Sequence, residues 1–245
     1  MKAFLFIFLF SLEFVSFGQT VFLRDSFDEK RGDLHDSLLV KDMVSDLVQL
    51  KEVILQTHPA PFYNCSDSVF NVAYNRALNR VQHPKTFLQF AQIINAFTRV
   101  LKDSHTALNP KELLRLGSKK RMVAPFYLTV IREKFYLTKI LNNAVPLGAE
   151  VLFINNQTVQ ELYSLTETLA PIEAGAISAR EELITFMMGL VFNLFNETPA
   201  REVEMTYVYS GDTLSRVIPS LKLGRYFGNN SWNTKNDLEF RICDG

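Results

Sequence analysis

Cysteine is scarce: Cys65 and Cys243 are the only two among 245 residues, and they lie far apart. Two thiols cannot lay out a disulfide framework, so an apolar core has to hold the fold together. An oxidising compartment would permit a bridge between them; two unpaired thiols are the expectation. Histidine is sparse as well. His35, His58, His83 and His105 are scattered, with no pair at helical or zinc-finger spacing, so spacing alone points to no metal site, and no cofactor is expected. A surplus of either charge is also missing. Lysine plus arginine and aspartate plus glutamate both total 26, for a formal net charge of zero. That excludes the basic footprint of a nucleic-acid binder and a polybasic membrane anchor. The one local excess, Lys111, Arg115, Lys119, Lys120 and Arg121 against Glu112, reads as a solvated loop or helix face. No internal repeat or low-complexity tract is present.

What is present begins with the first residues. Lys2 gives a positive start, Ala3 to Phe17 is apolar with Phe4, Phe6, Phe8 and Phe10, and Ser16-Phe17-Gly18 places small residues at a cleavage site. This is the layout of a secretory signal peptide over residues 1–18. A spanning helix would need about 20 apolar residues, and Glu13 interrupts the run. The expected location is therefore secreted or periplasmic, with no stable membrane span after cleavage. Residues 19–39 are polar and mixed and read as a linker.

From Lys41 the apolar residues take up helical spacing. Met43, Leu47, Leu50 and Ile54 share one face, and His58-Pro59-Ala60-Pro61 stops the helix, since proline lacks the amide proton. A second helix starts at Ser66 or Asp67 and buries Phe70, Tyr74, Ala77 and Val81. A third starts at Thr86, which with Gln89 has capping-box spacing, and carries Phe90, Ile94, Phe97 and Leu101. Strand-like runs follow at Val123–Val130, Lys134–Leu141 and Glu150–Ile154, with turn signals at Pro146-Leu147-Gly148 and Asn155-Asn156. Val159–Leu169 and Ala179–Phe195 look helical. Val203–Tyr209 and Thr213–Pro219 flank a hairpin turn at Ser210-Gly211-Asp212. Arg225–Asn236 reads as a polar loop, and Leu238–Ile242 as the opening of a further strand. The fold class is α+β: an N-terminal three-helix bundle over residues 40–118, then a second domain over 122–221, then a tail over 222–245.

Two segments carry a resemblance. Leu101-Lys102-Asp103-Ser104-His105-Thr106 follows the third helix. It resembles the leucine-x-aspartate-glycine/serine-histidine-threonine motif that closes the helical N-terminal region of tail-specific, or C-terminal processing, serine peptidases of the tricorn-like type. The preceding Thr57-His58-Pro59 step and the aromatic loop Phe62-Tyr63 fit the same pattern. Gly148, Glu150, Val151–Ile154, Asn155 and the helix from Val159 resemble part of a PDZ-like domain, with 179–195 as an insert. The resemblance covers about Lys41 to Leu221.

The resemblance implies that His105 is the candidate catalytic base and Ser104 a supporting residue. A serine hydroxyl is a weak nucleophile until a base takes its proton, and a histidine suits that work. Asp103 reads as orienting the loop and His58 as structural, ending its helix. Ser104 itself is a poor nucleophile, because neighbouring residues point in different directions; no G-x-S-x-G elbow exists either. The family's nucleophilic serine lies in a domain after the PDZ-like one, and the chain stops at about that point. A secreted part of a serine peptidase, not hydrolytic by itself, is expected, with polypeptide C-termini as substrate or ligand. They would be received by strand addition in a groove at Val151, Leu152, Phe153 and Ile154. The alternatives are a non-catalytic peptide-binding module and a non-functional truncated product.

Overall fold

The computed structural model describes residues 36–108, 122–141, 143–171, 173–195, 200–222, 226 and 232–234. The segment 1–18 expected to be a signal peptide, the basic stretch 111–121, Leu238–Ile242 and Cys243 lie outside these residues. The chain divides into two compact units, one from residues up to Lys119 together with Thr168–Arg180, the other from Lys120–Glu167 together with Glu181 onward. Among the described residues the architecture is α+β, with five α-helices and antiparallel sheets.

The first unit holds helices α1 (Val40–Thr57), α2 (Asp67–Arg80) and α3 (Phe87–Thr98). Each terminus has a local chemical cause. Ser66 accepts the Val69 amide at 3.2 Å and starts α2. Thr86 and Gln89 exchange hydrogen bonds at 3.0 and 3.2 Å, a capping box that satisfies two otherwise orphaned donors at the start of α3. The His58 amide closes α1 on the Ile54 carbonyl at 3.0 Å, with Pro59 forbidding a further turn. Met43, Leu47, Leu50 and Ile54 of α1 join Phe70 and Ala77 of α2, Val81, and Phe90, Ile93, Ile94 and Phe97 of α3 in one apolar cluster. Phe70 and Phe97 rings lie 5.0 Å apart at its centre. Tyr74, expected inside, is only half-buried and leans its ring on Phe97 at 5.7 Å. A short ribbon pairs β1 (Ser37–Leu38), inside the expected linker, with β2 (Lys85–Thr86). A 3₁₀ turn, Arg99–Leu101, leads off α3 and ends at Lys102 in the left-handed conformation (φ 51°). It turns the chain into the segment that carries Asp103 and His105.

The second unit is built on an antiparallel sheet. Its strands are β4 (Phe126–Ile131), β5 (Lys134–Leu141), β6 (Glu150–Ile154), β7 (Gln157–Thr158), β8 (Glu202–Tyr209), β9 (Asp212–Pro219) and β11 (Trp232–Thr234). The strand expected over 123–130 is interrupted. β3 (Met122–Val123) leaves the main sheet to pair with β10 (Leu221–Lys222), and β4 begins after Ala124-Pro125. Proline has no amide for a ladder, which accounts for the break. Residues 232–234, expected in a loop, pair with β5 instead. The β8–β9 hairpin turns through Ser210 and Gly211 with φ of 54° and 92°, the doubly left-handed form that matches strand twist.

Helix α4 (Val159–Glu167) and the second half of α5 (Ile177–Val191) pack on the sheet. Val159, Leu162, Met188 and Phe192 share a core with Phe126, Leu137, Val151, Ile154, Val203 and Met205. Gly189 permits the approach of α5: its carbonyl accepts the Ala124 amide at 2.8 Å. A Cβ there would stand 2.4 Å from the Ala124 oxygen. No helix among the described residues is long and apolar enough to cross a membrane.

Candidate functional site around Asp103

The site lies in the first unit, where the turn after α3 meets the loop after α1. Asp103 is its hub. One carboxylate oxygen, Oδ2, accepts from His58 Nε2 at 2.9 Å and from the Thr106 hydroxyl at 2.9 Å. The other, Oδ1, accepts from the His105 amide at 3.0 Å and lies 3.1 Å from His105 Nδ1. Burial alone would raise the Asp103 carboxyl. The hydrogen bonds from the His105 amide, the Thr106 hydroxyl and the two imidazoles outweigh it and hold the carboxyl below its ordinary value. Asp103 is therefore an ionised acceptor.

That charge state fixes both imidazoles. The Ala60 amide donates to His58 Nδ1 at 3.1 Å, so Nδ1 of His58 is an acceptor and its proton sits on Nε2, facing Asp103. A carboxylate offers no proton, so His105 Nδ1 carries the one it shares with Asp103. In the neutral ring, His105 Nε2 is left with the lone pair. This is the tautomer a general base needs, and an aspartate on Nδ1 is the device that secures it. The His105 side chain is 51% exposed, against 12% for His58 and 22% for Asp103. Only the outer imidazole is open to a reacting group.

The surroundings hold the turn in place. The Thr106 amide returns to the Asp103 carbonyl at 3.1 Å. The Lys102 carbonyl accepts from Asn64 Nδ2 at 3.3 Å and from the Ala174 amide at 3.0 Å. Glu173 Oε2 accepts the Ser104 amide at 2.8 Å. The segment 168–180 supplies these last two contacts and is fixed to α3 through Asn95. Asn95 Nδ2 donates to the Thr168 and Ala170 carbonyls at 2.8 and 3.1 Å.

The structure thus brings His105 and Asp103 together and places the Ser104 amide on Glu173. It also adds His58, Thr106 and Glu173 to the site. His58 is more than a helix stop, because its ring orients Asp103 from 45 residues away. Glu173 had no signal, because its partnership depends on a return of the chain from between α4 and α5. Asp103, His105 and Glu173 each place one potential ligand atom within 4.8 Å of the others'.

The expected groove residues sit in the second unit. Val151 and Ile154 are buried in its core, whereas Leu152 is half-buried and Phe153 is 39% exposed. The register with β8 shifts between Val151 and Phe153; this bulge lets residues three apart face the same side. β6 is paired with β8 along one edge and with β5 and β7 on the other. Val151 and Ile154 are buried in the core, and β6 has strand partners along both edges.

No family model matches the sequence, and no curated protein matches it. Solved structures do. The crystal structure of mature CPAF aligns over 74% of this chain and 34% of that one, with a TM-score of 0.50 and 16% identity. The structure of mature CPAF complexed with lactacystin aligns over 74% and 35%, with a TM-score of 0.51 and 13% identity. Over the aligned part the chain shares its fold with these structures, and it spans about a third of their length.

Proposed function

We propose that this chain is the helical and peptide-receiving part of a secreted serine peptidase of the tail-specific, tricorn-like type. In it, His105 is the general base and Asp103 orients it. The observation that carries this is the His105–Asp103 pair, with Nδ1 engaged at 3.1 Å and the ring half exposed. The likeness in fold to mature CPAF supports it. Ser104 supports the turn through its amide and is not the nucleophile; the nucleophilic serine comes from outside the described residues. The three helices of the first unit form the bundle that carries the base. The second unit is the PDZ-like domain, which receives the C-terminus of a polypeptide substrate.

The test uses the mature natural gene product, with its localisation recorded, on an unstructured polypeptide. His105→Ala lowers cleavage about 10³-fold or more, and Asp103→Asn does so comparably by admitting the wrong tautomer. Cleavage equal to wild type in His105→Ala would remove the base assignment. Nitrogen NMR of the imidazoles provides an independent check: His105 carries its proton on Nδ1 and His58 on Nε2.

A further inference from the structure

The sequence holds no two histidines at metal spacing, yet tertiary contact assembles a mixed ligand set. Asp103, His105 and Glu173 come from the turn after α3 and from the loop before α5. One ligand atom from each lies within 4.8 Å of the other two. We propose that these three residues form a binding site for a divalent transition-metal ion of the Zn²⁺ class. The site adds regulation to the function proposed above and rests on that reading only for its effect on activity.

The donor chemistry selects the ion. Calcium and magnesium prefer all-oxygen sites. An imidazole nitrogen beside two carboxylate oxygens suits zinc and its neighbours, which take such sets with water in the remaining position. Two carboxylates offset the ion's charge. The ligands are also oriented from behind. His58 and Thr106 hold Oδ2 of Asp103, at 2.9 Å each, which turns Oδ1 towards His105. The Ser104 amide holds Oε2 of Glu173 at 2.8 Å. Such supporting hydrogen bonds are what metal carboxylates ordinarily need. His105 and Glu173 are exposed, so an ion can enter, and the two side chains can close the last ångström or so to bonding distance.

Coordination exchanges one contact for another. A neutral imidazole has a single ring proton. When Nδ1 gives its lone pair to the metal, that proton resides on Nε2, and none is lost. The hydrogen bond between Nδ1 and Asp103 is replaced by bonds from both groups to the ion. Nε2 then cannot accept a proton, so bound zinc reversibly removes the base.

Titration calorimetry of the mature chain with ZnCl₂, followed by Co²⁺ absorption spectroscopy, tests the site without any need for activity. One equivalent binds, and cobalt gives the bands of a four- or five-coordinate nitrogen–oxygen site. His105→Ala lowers affinity ~100-fold or more, and Glu173→Gln and Thr106→Val each lower it about tenfold. Cys65→Ser and His83→Ala leave it unchanged. Circular dichroism confirms that each variant is folded. The absence of saturable binding, or binding that survives His105→Ala, would overturn the site. Zinc binding with these variant effects in a protein whose His105→Ala form still cleaves peptides would uphold the site and remove the assignment of His105 as the base.

Discussion

At the scale of single residues, two aspartates in one unit meet opposite fates. Asp103 is only partly buried, and it is surrounded by donors, so its charge is stabilised. Asp46 lies on the apolar face of α1, between Met43 and Leu47, and is 5% exposed. Burial, then the neighbouring charge of Asp42, pushes its carboxyl up to about 7. An unfolded aspartate titrates near 4, so between about pH 4 and 7 the folded protein binds a proton that the unfolded chain has released. Stability from this residue is therefore fully present below about pH 4 and declines as pH rises to about 7. Asp46→Asn removes that slope. Thermal melts of both proteins across pH 4–8 should show the variant gaining on wild type by about 1–3 kcal/mol at the alkaline end, after allowance for solvent screening. A constant difference across that range would mean that Asp46 keeps its charge. Helical spacing along α1 could not show that burial wins at Asp46 while hydrogen bonding wins at Asp103.

At the scale of elements, the helices were legible because their signals are local. Ser66, Thr86 with Gln89, and His58-Pro59 mark ends by hydrogen bonds made within four residues. The sheet was less legible. Pairing unites residues distant in sequence, so β11 was hidden in a polar stretch and the bulge at Leu152 was invisible to period-two counting. Gly189 belongs to the same class. In an ordinary helix, Gly→Ala gains about 1 kcal/mol. Here the new Cβ would meet two backbone oxygens, of Ala124 at 2.4 Å and Phe126 at 2.8 Å. Neither is the flexible end of a side chain. Gly189→Ala should therefore destabilise the second unit by about 1–3 kcal/mol, read as a lower denaturation midpoint with unchanged slope. A neutral or stabilising result would show that α5 can draw back from β3 and β4 at little cost.

At the scale of the whole molecule, each unit is discontinuous in sequence. The second needs β8 and β9, which follow α5, to complete the sheet begun by β4–β6. A fragment ending at Arg180 should thus keep the first unit but lose the tertiary structure of the second, since β6 loses its pairing with β8 at four positions. Proton–nitrogen correlation spectra would show dispersed signals for residues 40–105 and collapsed ones for 122–167. Dispersed signals throughout would mean that β8 is dispensable. The same discontinuity explains what could be read in advance. The sequence by itself determined the α+β class and the start and stop of α1–α3, because caps, prolines and helical spacing act over a few residues. Only tertiary structure decided that His58 and Thr106 share one carboxylate oxygen, that Glu173 returns to the Ser104 amide, and that Val151 and Ile154 are consumed by the core. Those outcomes depend on closing long loops and on burial, whose free energy is set by every packed neighbour at once and not by any local run of residues.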